Sequence, residues 1–123
     1  MKAAIISAAL AAALLTGCGS SPESTIRNFY KAVDAGKVDQ ALESIDESSK
    51  SLWGSKLSAM VAQKVRKYNS CDGIKSIEIK EAAAKGDTWT GTSLVYFNND
   101  KCKPEPDRWR LMKTGGKWLA TVQ

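Results

Sequence analysis

The sequence predicts an α+β fold in which N-terminal helices pack on a curved antiparallel sheet of about four strands. Apolar residues recur at helical spacing from residue 21 to about residue 68, and after Asn69 the period changes to the alternation typical of strands. Glycine-containing turns at 84–87 and 114–116 each join two strand-like segments, as in antiparallel hairpins. The order of helices first and strands afterwards favours separate layers of helix and sheet.

The first helix has a complete start signal. Ser21 is a good N-cap, Pro22 suits the first helical position, and Glu23 places a carboxylate in the positive first turn. Ala35-Gly36 predicts the end of this helix. Its apolar stripe at spacing i, i+3, i+4 and i+7 consists of Ile26, Phe29, Tyr30 and Val33.

Two further helices are predicted before the sheet. The shorter one runs from Val38 to Ile45, and the longer one from Ser49 to Tyr68 as a single helix. We expect the cationic residues of the longer helix to form a solvated face. The residues expected on its buried side are Leu52, Trp53, Leu57, Met60, Val61, Val65 and Tyr68.

Alternation and β-branched or aromatic content predict the strands. They are centred on residues 77–80 and occupy 89–97, 108–113 and 117–122. The segment 98–107 is expected to be irregular, because Pro104 and Pro106 cannot continue a central strand.

Cys71 and Cys102 predict a disulfide. The third cysteine, Cys18, belongs to the N-terminal segment considered below, which predicts export, and an even pair in an exported domain is typical of a bridge. A hairpin that turns near Gly86 also places Cys71 and Cys102 opposite each other within one residue. The bridge would close a loop of about thirty residues and contribute roughly 3 to 4 kcal/mol to stability.

Residues 1–17 have the composition of a secretory signal. One positive charge at Lys2 precedes an apolar run from Ala3 to Leu15, which is short for a membrane-spanning helix. The order Leu15-Thr16-Gly17-Cys18 resembles the bacterial lipobox. The resemblance implies cleavage between Gly17 and Cys18 and lipidation of Cys18. The alternative is an ordinary signal peptide that leaves Cys18 as a free thiol.

The predicted organisation follows from this signal. Residues 1–17 are removed, 18–22 form the lipidated cysteine and a short tether, and 23–123 form one α+β domain. In lipoproteins of this kind an aspartate after the cysteine favours retention at the inner membrane. The Gly19 found here implies the outer membrane, facing the periplasm, in a cell with two membranes.

Charge and composition narrow the partners. Without Lys2 the net charge is +4, and this positive charge is too small and too dispersed for a nucleic-acid surface. We expect the excess of Lys and Arg over Asp and Glu to interact with the anionic membrane surface instead. The chain contains no histidine, the commonest general base and transition-metal ligand. We therefore expect no metal and no cofactor.

The opening of the domain carries a wider resemblance. The run from Ser21 to Tyr30, the turn Ala35-Gly36-Lys37 and the run from Asp39 to Leu42 resemble small bacterial lipoproteins with a domain of unknown function in the nuclear transport factor 2-like (NTF2-like) superfamily. The resemblance implies a cone-shaped α+β roll, and analogy with that fold suggests a homodimer formed through the sheet. The superfamily includes enzymes, ligand binders and interaction modules, so it does not specify a function.

Three functions fit these observations. The favoured one is a non-catalytic binding or accessory module at the envelope, including an immunity or exclusion factor, with an envelope protein as partner. Its expected binding surface is Trp89, Trp109, Arg108 and Arg110.

The alternatives are a small-ligand binder and a pocket enzyme with a carboxylate base inside the cone. The acidic residues fall mostly on expected polar faces and turns, which disfavours catalysis, and no catalytic residue is assigned. An open pocket with a buried, unpaired carboxylate would favour the enzyme.

Overall fold

The computed structural model describes residues 20–122, so the predictions for Gly17, Cys18 and the signal segment lie outside the described residues. Within this described part of the chain, four helices precede a four-stranded antiparallel sheet of order β1-β2-β3-β4, which confirms the predicted fold class. Within residues 20–122, no helix has the length and apolar content needed to cross a membrane. The elements are α1 (Pro22–Asp34), α2 (Val38–Leu42), α3 (Glu47–Trp53), α4 (Ser55–Ser70), β1 (Ile74–Lys85), β2 (Thr88–Phe97), β3 (Glu105–Thr114) and β4 (Lys117–Ala120).

Helix α1 begins and ends where the sequence predicts. The Ser21 hydroxyl accepts a hydrogen bond from the Ser24 backbone N–H at 3.1 Å, and the Ser24 hydroxyl accepts one from the Ser21 N–H at 3.0 Å. This reciprocal capping box satisfies two N–H groups that the helix leaves free. The predicted stripe is buried, with Ile26 and Tyr30 fully inaccessible to solvent.

The prediction of one helix from Ser49 to Tyr68 is wrong. The chain breaks at Gly54, which adopts φ 54° and ψ −133°, a conformation that a side chain disfavours. Helix α3 has its own N-cap, since the Asp46 carboxylate accepts a hydrogen bond from the Ser49 N–H at 2.9 Å. Two residues expected on the buried side of the single helix are exposed, Leu52 by 79% and Met60 by 48%.

The second helix is also shorter than predicted and ends at Leu42. The chain beyond it joins the last strand instead of continuing the helix. The Asp46 N–H donates to the Ala120 carbonyl at 2.9 Å, and the Ala120 N–H donates to the Ser44 carbonyl at 2.8 Å. Ile45 and Ala120 therefore form a parallel bridge that closes this end of the sheet against the helices.

Strand β3 begins at Glu105, although the prolines predicted an irregular segment to residue 107. Pro106 is part of the strand and pairs with Leu94 of β2. The pairing of β4 with β3 covers only residues 111–114 of β3, so residues 105–110 have a neighbouring strand on one side. Proline is tolerated there, because an edge position does not require a donor on both sides.

The β1–β2 hairpin turns at Gly86 and Asp87, as predicted, and pairs Ile77 with Val95. Just beyond it, Cys71 and Cys102 form a disulfide with Cα atoms 5.9 Å apart. The bridge ties the end of α4 to the connection between β2 and β3. It therefore anchors one end of α4 to the sheet.

Candidate ligand-binding cleft

Helix α4 and the inner face of the sheet leave a cleft of about 300 Å³ between them. The cleft opens to solvent beside Met60 on α4. Residues 107–110 of β3 and residues 120–122, at the end of β4 and just after it, form the opposite wall. Its surface is mainly apolar, which is the usual character of a small-ligand site. The apolar side chains that line it are Phe29, Ile45, Leu57, Met60, Val61, Trp109, Ala120 and Val122.

One end of the cleft is charged. The ammonium group of Lys64, on α4, lies 3.1 Å from Oδ2 of Asp107 and 3.4 Å from Oε2 of Glu105, both on β3. Lys67 adds a longer contact of 3.7 Å to the same Glu105 oxygen. Lys64 and Asp107 line the cleft, whereas Glu105 lies beside it. These partly buried pairs balance the charges across the joint between helix and sheet.

A chain of hydrogen bonds supports Asp107 from behind. The Tyr30 hydroxyl donates its single proton to Oδ2 of Asp107. It must then accept from the Ser93 hydroxyl, 2.6 Å away, and Ser93 in turn accepts from the Trp109 indole N–H at 2.8 Å. Each group therefore donates to the next, from Trp109 to Ser93, from Ser93 to Tyr30 and from Tyr30 to the final acceptor, Asp107. Such a chain polarises each member and strengthens the last bond to the carboxylate.

Tyr30, within this network, and Tyr68, next to it, remain protonated. Burial raises the pKa of Tyr30 far above its usual value, and the Asp107 carboxylate raises it further. Burial likewise raises the pKa of Tyr68, whose ring stacks on Tyr30 at 6.3 Å, and the charges of Glu105 and Asp107 add to that shift. Both phenols therefore carry their protons at neutral pH and do not act as bases.

Tyr68 and Glu105 differ from the rest of the network. Neither the Tyr68 hydroxyl nor Oε1 of Glu105 has a hydrogen-bond partner among residues 20–122, although both atoms are buried. Glu105 nevertheless lies close enough to raise the pKa of Tyr68, both through its charge and through the approach of its side chain to the phenol hydroxyl. Oε2 of Glu105 is held by Lys64 and Lys67, which compensates the charge of this carboxylate.

The arrangement suits recognition better than proton transfer. A general base needs a carboxylate with an available lone pair directed at the substrate. Asp107 is the carboxylate that lines the cleft, and it is already bonded to Lys64 and Tyr30. An apolar surface with a compensated ion pair at one end matches a ligand that combines an apolar body with a polar group.

The four residues expected to form one binding surface are divided by the pleat of the sheet. Trp109 faces inward and packs edge-on against Phe29 at 5.4 Å, and Trp89 is also turned inward and is 6% exposed. Arg108 and Arg110 flank Trp109 in sequence, so their side chains leave the opposite face and are exposed. Arg108, Trp109 and Arg110 all contribute to the lining of the cleft, whereas Trp89 does not. Trp109 is the one of the four that also belongs to the polar network.

Sequence reasoning missed most of the charged end of the cleft. Lys64 was expected on a solvated helix face, and Asp107 in an irregular segment. The missed signal was alternation: Glu105, Asp107, Trp109 and Leu111 occur at every second position and share the inner face of β3. Pro106 lies inside this alternation, and because proline disfavours a central strand it masks the strand pattern.

Comparison with protein-family models and with curated proteins gave no match. Among solved structures, a Campylobacter jejuni protein provisionally assigned as an NTF2-like transpeptidase is 29% identical, with a TM-score of 0.74 over 85% of this chain and 100% of that chain. A SEC-C motif containing protein from Rhodopseudomonas palustris is 18% identical, with a TM-score of 0.64 over 90% and 84% of the two chains.

A third solved structure, an uncharacterised cystatin-fold protein from Novosphingobium aromaticivorans, is 15% identical. Its TM-score is 0.53, over 85% of this chain and 100% of that chain. At identities of this order, the latter two likenesses bear on the fold alone. The NTF2-like protein from Campylobacter jejuni and the cystatin-fold protein from Novosphingobium aromaticivorans confirm the NTF2-like fold that the sequence resemblance implied.

Proposed function

We propose that this protein is an exported envelope lipoprotein, anchored through acyl chains on Cys18, that acts without catalysis as a binding or accessory module. Its binding site is the cleft beside α4. The observation that carries the binding role is the composition of this cleft, where an apolar wall ends in the compensated pair of Lys64 and Asp107. Apolar clefts with a few fixed polar groups are the usual form of a ligand site.

The anchor is supported by the sequence before the described domain. A charged start, an apolar run and the lipobox-like Leu15-Thr16-Gly17-Cys18 occur in the order that a lipoprotein signal requires. One acyl chain gives marginal membrane binding, whereas several give stable attachment. We place the domain at the outer membrane, facing the periplasm.

The ligand of the cleft is best sought at the envelope. The candidates are a segment of an envelope protein, which would fit an accessory, immunity or exclusion role, and a small amphipathic molecule. The provisional assignment of the Campylobacter jejuni neighbour as a transpeptidase favours a ligand with peptide character. A peptide would offer both an apolar side chain for the wall and a polar backbone for the charged end.

The second candidate is a pocket enzyme, and one observation favours it. Asp107 and Tyr30 place a carboxylate and a protonated phenol together at the inner end of an open cleft. The pairing of Asp107 with Lys64 argues against a free base. Acyl transfer would also need an accessible nucleophile, and the two hydroxyls of this network belong to Tyr30 and Ser93, which are both fully buried.

A crosslinking capture in intact envelopes tests the binding role. The wild-type protein is compared with Cys18→Ser, which removes the anchor, and with Met60→Arg, which places a charge at the cleft mouth. Leu52→Arg is the matched control, since Leu52 is exposed on α3 outside the cleft. We expect one dominant partner, captured equally by wild type and Leu52→Arg and about tenfold less by Met60→Arg, because the charge loses apolar contact. Equal capture by Met60→Arg would place the binding site elsewhere.

Turnover separates the two candidates. Purified protein is incubated with a donor and an acceptor peptide, and the products are followed by mass spectrometry beside Asp107→Asn. We expect no ligated or hydrolysed product from either protein. Product formation that Asp107→Asn abolishes would establish the enzyme instead, because it would show that the carboxylate is required for the chemistry.

A further inference from the structure

A second concave surface lies on the opposite side of α1 from the cleft. It is a groove of about 530 Å³ between α1, α2 and the start of β4. Three exposed lysines line it: Lys31, Lys37 and Lys117. No carboxylate within residues 20–122 forms an ion pair with any of them. Glu43 is the single acidic residue of the lining, so the groove is cationic.

The start of the described chain is fixed at this groove. The backbone N–H of Trp118, on β4, donates to the Ser20 hydroxyl at 3.2 Å. One turn into α1, the Thr25 hydroxyl donates to the Trp118 carbonyl at 2.7 Å, and Thr25 is buried. These two bonds join the first residues of the domain to the strand that carries Lys117 and Trp118.

We propose that this groove is the membrane-facing surface of the protein and that its three lysines bind the phosphate groups of anionic phospholipids. The inference rests on the proposed anchor at Cys18, which is two residues before Ser20. Two residues span at most about 7 Å, so acyl chains on Cys18 enter the bilayer next to the groove. The domain has no freedom to present a distant face to the membrane.

The side chains suit that position. Lysine ammonium groups on long apolar stems reach phosphate groups while the stem stays close to the bilayer, and each adds attraction to an anionic surface. Trp118, half-buried beside Lys117, has the amphipathic ring that is enriched at membrane interfaces. The groove therefore combines the charge and the aromatic group that interfacial contact requires.

This orientation also leaves the cleft free. The groove and the cleft share no lining residue, and α1 separates them, with Lys31 on one face and Phe29 on the other. When the groove lies on the bilayer, the mouth of the cleft beside Met60 remains open to the aqueous compartment. The anchor thus orients the proposed binding site as well as retaining the protein.

Chemical acetylation of lysines, measured by mass spectrometry, tests the proposal without any substitution in the protein. The mature acylated protein is reconstituted in vesicles of phosphatidylcholine and in vesicles of phosphatidylethanolamine with phosphatidylglycerol. We expect Lys31, Lys37 and Lys117 to react about fivefold more slowly on the anionic vesicles than on the neutral ones. The internal controls are exposed lysines outside the groove, Lys85, Lys101 and Lys103, whose rates should not differ.

The outcomes separate this inference from the proposed function. An intact mass without acyl chains overturns the anchor, and the orientation with it. If the protein is acylated but the three groove lysines react as fast as the control lysines, the anchor stands and the orientation is overturned. If acetylation of the groove lysines is slower than that of the control lysines to the same extent on neutral and anionic vesicles, the binding of anionic headgroups is overturned.

Discussion

The two long helices are buried to different extents, and the difference locates the binding side of the molecule. Helix α1 buries six of its 13 residues, whereas α4 buries three of its 16. The inward side of α1 closes the core against the sheet. Helix α4 touches the sheet through fewer side chains, and the space that remains is the cleft.

The charged end of the cleft compensates for this looser packing. Lys64 bonds across to Asp107 and Glu105, and the disulfide at Cys71 ties the end of α4 to the sheet. Helix α4 is thus held by polar and covalent links at one end, with apolar surface left open along its length. The first helix holds the fold together, and the longer one leaves room for a ligand.

Removing the disulfide should have the largest effect on this comparison. We expect Cys71→Ser combined with Cys102→Ser to lower the free energy of unfolding by roughly 3 to 4 kcal/mol, because the bridge closes a loop with a sequence separation of 31 residues. Hydrogen exchange should rise more at the end of α4 than in α1. Unchanged stability, with free thiols in the untreated wild type, would contradict the bridge.

Truncation of one apolar residue on each helix tests the packing difference directly. Ile26→Ala removes a fully buried side chain of α1 and should cost about 3 kcal/mol, whereas Met60→Ala, at the cleft mouth, should cost less than about 1 kcal/mol. Urea unfolding of both variants measures the contrast. Equal losses would mean that Met60 is packed as tightly as the core and that the cleft is closed in solution.

The two stacked tyrosines give a finer test of the polar network. Tyr30→Phe should cost about 2 kcal/mol at pH 7, because the buried Ser93 hydroxyl loses its acceptor and Asp107 keeps only its bonds to Lys64. Tyr68→Phe removes a buried hydroxyl that has no hydrogen-bond partner among the described residues, so stability should stay the same or rise slightly. A large loss in Tyr68→Phe would show that this hydroxyl is bonded in solution, with Glu105 as the nearest candidate.

Alkaline pH should produce the smallest and most specific effect. The pKa of Tyr68 is raised in the folded state, while the unfolded chain ionises near the ordinary value of 10.0. The stability that this shift contributes is complete below about pH 10 and declines as the pH rises, by up to about 1.4 kcal/mol per pH unit. Between about pH 10 and 11, the decline in Tyr68→Phe should therefore be shallower than in wild type. Parallel declines would contradict the burial of the phenol.

Local sequence signals predicted the parts of the fold that they control. The cap at Ser21, the stripe of α1 and the turn at Gly86 are specified by neighbouring residues, and all three are found where the pattern placed them. The break at Gly54 was missed, because a single glycine inside an apolar pattern is compatible with a continuous helix. In the structure Gly54 separates the two helices with a positive φ, a conformation that glycine adopts readily.

The cleft was harder to predict for a physical reason. Its charged end joins Lys64 on a helix with Asp107 on a strand 43 residues later, and nothing local reports that they meet. The depth of the cleft depends on how far α4 stands from the sheet, which is a property of tertiary packing and not of local sequence. Helix and strand patterns specify which face is buried, but they do not specify how completely it is covered.

Site-specific photocrosslinking in living cells is the most direct test of the cleft as a binding site. Benzoylphenylalanine replaces Met60 at the cleft mouth in one variant and the exposed Leu52 in the other, and each is illuminated in intact cells. We predict a discrete adduct from position 60 that is absent from position 52 and is lost when Cys18→Ser releases the protein. No adduct at position 60, or the same adducts from both positions, would contradict the proposal that the cleft is the binding site.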